Sequence, residues 1–258
     1  DLHSFPTRRS SDLQLEENSM KNCETKNSWE NFFLMWQVNG SSFPIGTASH
    51  SFGLETYIDK GIIHNEKTCE NFIRLNMKTA YLYTELLSMR FAYEFAKEAD
   101  FEKVIKLDKL LHVSKSPQEL RIASEKIGMN FIEAIKPLQM EYGEGIFSKY
   151  ISELEENINP CNHSVMFGVF TAEVGIDKDL AMRAYLFSGL NAMITACIKG
   201  IPLSQVSGQK IIKRSYDLIN DLCEEVKTLE YDDLCRSTPG LDISSMEHEC
   251  QYSRLYMS

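Results

Sequence analysis

Two short sequence pairs carry side chains that bind soft or borderline metal ions. Cys161 and His163 flank one asparagine, and His248 and Cys250 flank one glutamate. Thiolate and imidazole groups suit nickel or zinc, but a closed site needs about four ligands, whereas each pair supplies two. Each pair alone is better explained as a free thiol near an unrelated histidine. The two sets could combine into a site across a dimer axis.

Two other motifs lack a residue that their chemistry requires. Residues 40–47 (GSSFPIGT) superficially resemble a phosphate-binding loop, but five residues separate the glycines and Thr47 stands where the lysine belongs. Residues 231–236 (YDDLCR) place Arg236 where the aspartate-rich magnesium motif of all-α diphosphate enzymes has its last carboxylate. Since GxSxG, HExxH and kinase signatures are also absent from the sequence, we expect a protein that is not an enzyme.

Composition and charge exclude two classes of partner. The 258 residues are 43% hydrophobic and 25% charged, which is enough to bury a sizeable core. A formal charge of −10 repels nucleic-acid phosphates and anionic lipid headgroups. The most apolar stretch, residues 189–203, is interrupted by Lys199, Gly200 and Pro202, and is too short to span a bilayer. We therefore expect neither a nucleic-acid partner nor a membrane anchor.

Cysteine usage and the first residues bear on location and on domain boundaries. The seven cysteines are odd in number and form no CxxC pair, and no signal peptide is recognisable, so we expect the reducing cytoplasm. Residues 1–13 (DLHSFPTRRSSDL) resemble the translation of a sequencing-library adapter, and Met20 is the expected start. This divides the chain into a non-native leader at 1–19, a helical domain at 20–238 and a tail at 239–258.

Apolar periodicity predicts helices in the first half of the chain. Three- and four-residue spacings indicate one long amphipathic helix over residues 69–99, with Thr68 as its N-cap. Asp100 is predicted to cap a second helix through Leu111. Residues 116–119 (SPQE) indicate a capping box with proline at the first helical position of a third helix.

The same signals continue beyond Pro137, which should end or kink that third helix. We predict helices over residues 146–154, 164–174, 177–199 and 204–229, the third capped by Asp177 and each bounded by Gly, Pro, Asp or Ser signals. No β-branched alternation is present. The predicted fold is a single-domain all-α bundle of about eight to ten helices with a poorly structured C-terminal tail.

The predicted helix over residues 177–199 has a face of small side chains. Ser188, Ala192 and Ala196 stand four residues apart, which lets another helix approach closely and favours a central position for this helix.

Residues 42–55 (SFPIGTASHSFGLE) closely resemble the N-terminal signature of the UreF family. Segments at 121–128, 165–168 and 201–209 agree as well, and so does the tail from residue 239, in the same order. The signature residues are Phe43, Pro44, Gly46, Ser49, His50, Gly53, Leu54 and Glu55. Gly46 and Gly53 are positions that need unusual backbone angles or permit close approach.

The tail carries an unusual apolar load for a terminal segment without a period. Leu241, Ile243, Met246, Tyr252, Leu255 and Tyr256 are costly in water, so we expect the tail to become ordered on a partner. Family tails often carry arginine after the His-Glu pair, whereas Cys250 stands here. The expected partner-binding residues are Pro239, Gly240, Leu241, Asp242, Met246, His248, Glu249, Tyr252, Ser253, Arg254 and Leu255.

The resemblance implies an all-α, dimeric, non-enzymatic accessory protein. Members of the family bridge UreD, called UreH in some organisms, and the GTPase UreG on urease apoprotein, and are thought to modulate that GTPase during nickel insertion. No resident cofactor is expected, although nickel could pass through. The alternative hypothesis is a metallochaperone that binds nickel itself through Cys161, His163, His248 and Cys250.

Overall fold

The computed structural model describes residues 29–138, 145–156, 159–236 and 238–258. Contacts divide the chain into a unit ending at Val38 and a second unit from Asn39 to Ser258. In the first unit residues 29–38 are helical (α1), and the rings of Trp29, Phe32, Phe33 and Trp36 contact one another along it. The expected leader at 1–19 and the expected boundary at residue 20 lie outside the described residues.

The described part of the second unit is all-α, without a strand, as predicted. It contains eleven α-helices, slightly more than the eight to ten expected for the whole chain. They are α2 (Leu54–Asp59), α3 (Glu66–Asn76), α4 (Leu87–Lys97), α5 (Phe101–Ser114), α6 (Gln118–Ile135), α7 (Ile146–Glu156), α8 (His163–Glu173), α9 (Lys178–Gly200), α10 (Gln205–Arg214), α11 (Tyr216–Thr228) and α12 (Pro239–His248).

The long first helix is continuous, as predicted, but its start and its middle differ from the prediction. A π-helix over Met77–Leu86 joins α3 to α4. The N-cap is Asn65, whose side chain accepts the backbone N–H of Thr68, while the Thr68 hydroxyl accepts the N–H of Asn65. Thr68 is thus the third residue of the capping box, not the cap.

Of the helix caps predicted elsewhere, two are confirmed and one is wrong. Asp100 caps α5 and Asp177 caps α9, as predicted. The capping box predicted at residues 116–119 is wrong: Pro117 occupies the N-cap position of α6 and no side chain caps it. The Glu119 carboxylate instead contacts His248 and Arg254, so its partners lie in the tail.

The last long helix predicted, over residues 204–229, is two helices. Ser204, the predicted start, caps α10, but the helix is interrupted at Ser215 between α10 and α11. The Ser215 hydroxyl donates to the carbonyl of Ile211, four residues back, which is a bond that often bends a helix.

Among the described helices, α4 and α8 contact each other most extensively. Gly168 of α8 faces α4 so closely that an added Cβ would lie 2.4 Å from the carbonyl oxygen of Met89. Helix α9 contacts α2, α3, α4, α8, α10 and α11, which gives it the central position predicted. By length and composition α9 could also cross a membrane. These helix contacts explain its apolar residues as those of a core helix.

The expectation of a poorly structured tail is wrong. Residues 239–248 form α12, with Pro239 in its first turn, and α12 contacts α2 and α6. Its buried residues are Ser244, Ser245 and His248 instead of large apolar ones. No apolar period marks this helix, because polar contacts with residues distant in sequence hold it.

Candidate partner-binding site

The family signature forms the platform of the site. Gly46 and Gly53 adopt left-handed backbone angles, with φ of 85° and 82°, and α2 begins directly after Gly53. A Cβ at Gly53 would lie 2.5 Å from the Ser245 hydroxyl oxygen of α12. Gly53 therefore serves two purposes, since it permits the turn and lets α12 approach.

Glu55 connects the signature with the tail. Its carboxylate accepts the backbone N–H groups of Leu255 at 2.6 Å and Tyr256 at 3.0 Å, and lies 2.9 Å from Nε2 of His248. Only 8% of Glu55 is exposed. A buried carboxylate is stable only when hydrogen bonds satisfy its oxygens, and the tail supplies them.

His248 is held between two carboxylates. Its Nε2 faces Glu55, and its Nδ1 lies 2.6 Å from Oε2 of Glu119. Because carboxylates only accept, both hydrogen bonds form when both ring nitrogens carry a proton. Arg254 donates to the other oxygen of Glu119 at 2.6 Å. The two ring nitrogens point in opposite directions, so this histidine and the two carboxylates cannot chelate one metal ion.

Further contacts fix both ends of the tail. At the α12 end, the Ser244 hydroxyl donates to the Gly53 carbonyl and the Thr56 hydroxyl donates to the Ser244 carbonyl. At the other end, Ser258 accepts the N–H groups of Ser51 and Phe52. The tail over residues 239–258 is thus docked on the signature at both ends.

In the docked tail, some of the predicted partner-binding residues are buried or half-buried and the others are exposed. His248 is buried and Leu241 and Asp242 are half-buried. Tyr252 is fully exposed, and Leu255 is 62% exposed. The other exposed members are Pro239, Gly240, Met246, Glu249, Ser253 and Arg254.

The signature residues also differ in their exposure. His50, Gly53, Leu54 and Glu55 are buried, Phe43 packs against Phe131, and Pro44, Gly46 and Ser49 are exposed.

Several residues of this site were not predicted. Thr56 and Ser258 complete the contact between signature and tail, as do Ser244 and Glu119. The sequence did single out Glu119, but a carboxylate three residues after a serine favours the capping-box interpretation when only neighbouring residues are considered.

The proposed metal ligands are not assembled within one chain. Cys161 is buried, and burial raises the pKa of its thiol well above the usual value. Burial also lowers the pKa of His163 to about 4, and its ring packs against aromatic rings. Cys250 is exposed. Among the described residues, no three His, Cys, Asp or Glu side chains lie close enough together to hold a metal ion. A metal site built from these pairs would need ligands from a second chain.

Comparison with known proteins supports the resemblance. A sequence model of the UreF family matches residues 63–216. A relative from Lachnoclostridium phytofermentans, described as "Urease accessory protein UreF", is 32% identical over 230 residues, which cover 89% of this chain and all of that protein. The chain belongs to the UreF family. The UreF family model covers neither the signature at 42–55 nor the tail at 239–258. The contact between these two segments therefore lies outside the region that the model matches.

Proposed function

We propose that this chain is a urease accessory protein that acts as a scaffold in nickel insertion. It recruits UreD, or its counterpart UreH, through the docked tail and the GTPase UreG through another helical face, and it modulates the GTPase on urease apoprotein. It works as a cytoplasmic homodimer without catalysing a reaction itself. Membership in the UreF family and the description of its relative support this role.

The observation that carries the proposal is the orientation of the tail's side chains. The polar side chains of Ser244, Ser245 and His248 point into the chain, whereas five large apolar side chains of the tail remain exposed. These exposed residues are Ile243, Met246, Tyr252, Leu255 and Met257. Apolar side chains concentrated on one segment are typical of a protein-binding surface.

The docking changes how the partner is expected to bind. A tail that became ordered only on the partner would lose affinity to the entropy of ordering. Here Glu55 already holds the backbone N–H groups of Leu255 and Tyr256, and Glu119 holds the side chain of Arg254. The surface is therefore preorganised, and the affinity should depend on a few exposed anchors.

The proposal can be tested by placing charge on two anchors. The double variant Tyr252→Asp, Leu255→Asp alters exposed side chains and leaves the bonds to Glu55 in place, since Leu255 uses its backbone N–H. We expect a folded chain that captures UreD at least about tenfold more weakly, since interface anchors contribute about 2 kcal/mol or more. It should also fail to restore urease activity in cells that lack their own copy.

Val113→Asp is the matched control, because Val113 is 72% exposed on α5, outside the tail. This variant should capture UreD normally. Wild-type capture by the double variant would contradict the proposed surface. Tight, stoichiometric nickel binding by the isolated chain would instead support the metallochaperone hypothesis.

A further inference from the structure

Tyr252 differs from the other exposed side chains of the tail. Its exposed fraction is 107%, the largest of any large apolar side chain among the described residues, whereas Leu255 follows within the tail at 62%. An exposed fraction this high means that the ring lies against no neighbouring group of its own chain. The ring therefore projects from the apolar surface that the tail presents.

The backbone that carries this ring is held on both sides. On one side the side-chain amide of Gln251 donates to the hydroxyl of Thr56 at 3.1 Å. On the other side Arg254 donates to Glu119 at 2.6 Å. Only two residues separate these fixed points, and Tyr252 is one of them. The ring is therefore presented from a short segment with little freedom to move.

A projecting ring on a fixed backbone fits a concave surface better than a flat one. An aromatic side chain can bury about 150 to 250 Å². A flat partner surface would cover one face of the Tyr252 ring, whereas a pocket would cover both faces and the edge. Residues that dominate the energy of an interface are often aromatic side chains that fill well-packed pockets. Because the backbone is already held, insertion of the ring costs little further ordering.

The hydroxyl group of Tyr252 defines one polar feature of such a pocket. A phenol O–H that leaves water must find an acceptor, since a buried donor without a partner is unfavourable. The side chain of Tyr252 is fully exposed, so its own chain leaves that bond to a partner. The nearest exposed large side chains along the tail, Met246 and Leu255, are apolar. The matching pocket therefore has apolar walls and an acceptor at its base.

We propose that the side chain of Tyr252 inserts into an apolar pocket of UreD and donates a hydrogen bond to an acceptor at the base of that pocket. This inference rests on the proposed function, which assigns UreD to the tail surface. It makes Tyr252 a residue that determines specificity, because a site built to bond a hydroxyl group rejects the same ring without it.

The affinity of UreD for the full chain and for Tyr252→Phe tests the proposal. This variant keeps the ring and removes one oxygen atom from a fully exposed position, so it should not disturb folding. We expect about tenfold weaker binding, because the acceptor in the pocket is left without a donor. Tyr252→Ala should bind still more weakly, since it also leaves the pocket empty. If UreD covered Tyr252 with a flat apolar surface, Tyr252→Phe would bind at least as tightly as the wild type.

Tyr231→Phe is the matched control, because Tyr231 is an exposed tyrosine outside the tail that loses the same atom. It should bind UreD as the wild type does. Undiminished binding by Tyr252→Phe, or equal weakening in Tyr231→Phe, would overturn the proposal. If the pocket alone is wrong, Tyr252→Phe binds normally while Tyr252→Asp, Leu255→Asp still fails to capture UreD. If the tail is not the UreD surface, the double variant captures UreD as well.

Discussion

Two contacts in this molecule are close for different physical reasons. Where α8 meets α4, the fit depends on shape: Gly168 lies against the backbone of Met89 and Tyr93. Where the tail meets the signature, the fit depends on polar groups, and Glu55 and Glu119 accept several of the hydrogen bonds. The first contact should be sensitive to added volume and the second to the loss of one acceptor.

The largest expected effect follows from adding volume between α4 and α8. In Gly168→Leu the new side chain meets backbone atoms, which cannot rotate away as a flexible side chain would. We expect a loss of about 3 kcal/mol or more in the free energy of unfolding, measured by urea denaturation. Gly61→Asn is the control, because a Cβ there meets nothing within 4 Å and asparagine tolerates left-handed angles. Equal stability of the two variants would contradict the importance of shape at this contact.

The core also contains a polar cluster around a buried carboxylate. Asp108 of α5 is buried and accepts from the N–H and the side-chain amide of Asn162, and Tyr150 donates to it. Burial raises its pKa to about 7, partly offset by these hydrogen bonds and by Lys115. In the unfolded chain the pKa is about 3.9. Between these values the unfolded chain loses this proton and the folded chain keeps it, so Asp108 makes stability fall as pH rises from about 4 to 7.

Asp108→Asn should remove this pH dependence. His163 acts in the opposite direction over about pH 4 to 6.5, since its lowered pKa makes stability fall as pH decreases. The measurement is therefore the difference in unfolding free energy between variant and wild type at each pH, in which His163 cancels. We expect the variant to gain about 3 kcal/mol relative to the wild type from pH 4 to pH 8. A difference that is independent of pH would show that Asp108 does not titrate in this range.

Removal of one acceptor should release the tail while the core stays folded. In Glu55→Gln one oxygen becomes an amide nitrogen that cannot accept, so a backbone N–H of Leu255 or Tyr256 loses its partner. We expect the docking of residues 250–258 to weaken by about 2 kcal/mol, seen as faster amide hydrogen exchange at these two residues. Glu247→Gln is the control, because Glu247 pairs with Lys60 at the surface, where an ion pair contributes little. Unchanged exchange in Glu55→Gln would argue against the polar account of this contact.

Signals that act over three or four residues allowed parts of this fold to be predicted from sequence. Asp100 and Asp177 cap their helices by accepting an N–H three residues ahead, so composition near the cap was sufficient. The α-helical class followed from apolar spacing, and the central position of α9 followed from the small residues Ser188, Ala192 and Ala196 at four-residue spacing.

The remainder depended on contacts that no local pattern contains. Glu55 accepts from Leu255, which lies 200 residues away. The tail therefore seemed too apolar and too irregular to fold within its own chain. The resemblance marked both segments, but it could not indicate that they bind each other.

The smallest expected effect concerns the small face of α9, which is close-packed at one turn and open at the next. A Cβ at Gly189 would lie 2.2 Å from the Tyr81 hydroxyl oxygen, whereas Ala192, three residues on, lines a cavity of about 270 Å³. From sequence alone, leucine at position 192 should overpack a helix contact and cost about 1 to 3 kcal/mol. In the structure it has space to occupy, so Ala192→Leu should change the free energy of unfolding by less than about 1 kcal/mol, while Gly189→Ala should cost about 1 to 3 kcal/mol. Urea denaturation of both variants measures the difference, and a larger loss for Ala192→Leu than for Gly189→Ala would mean that another helix approaches the small face closely at residue 192 after all.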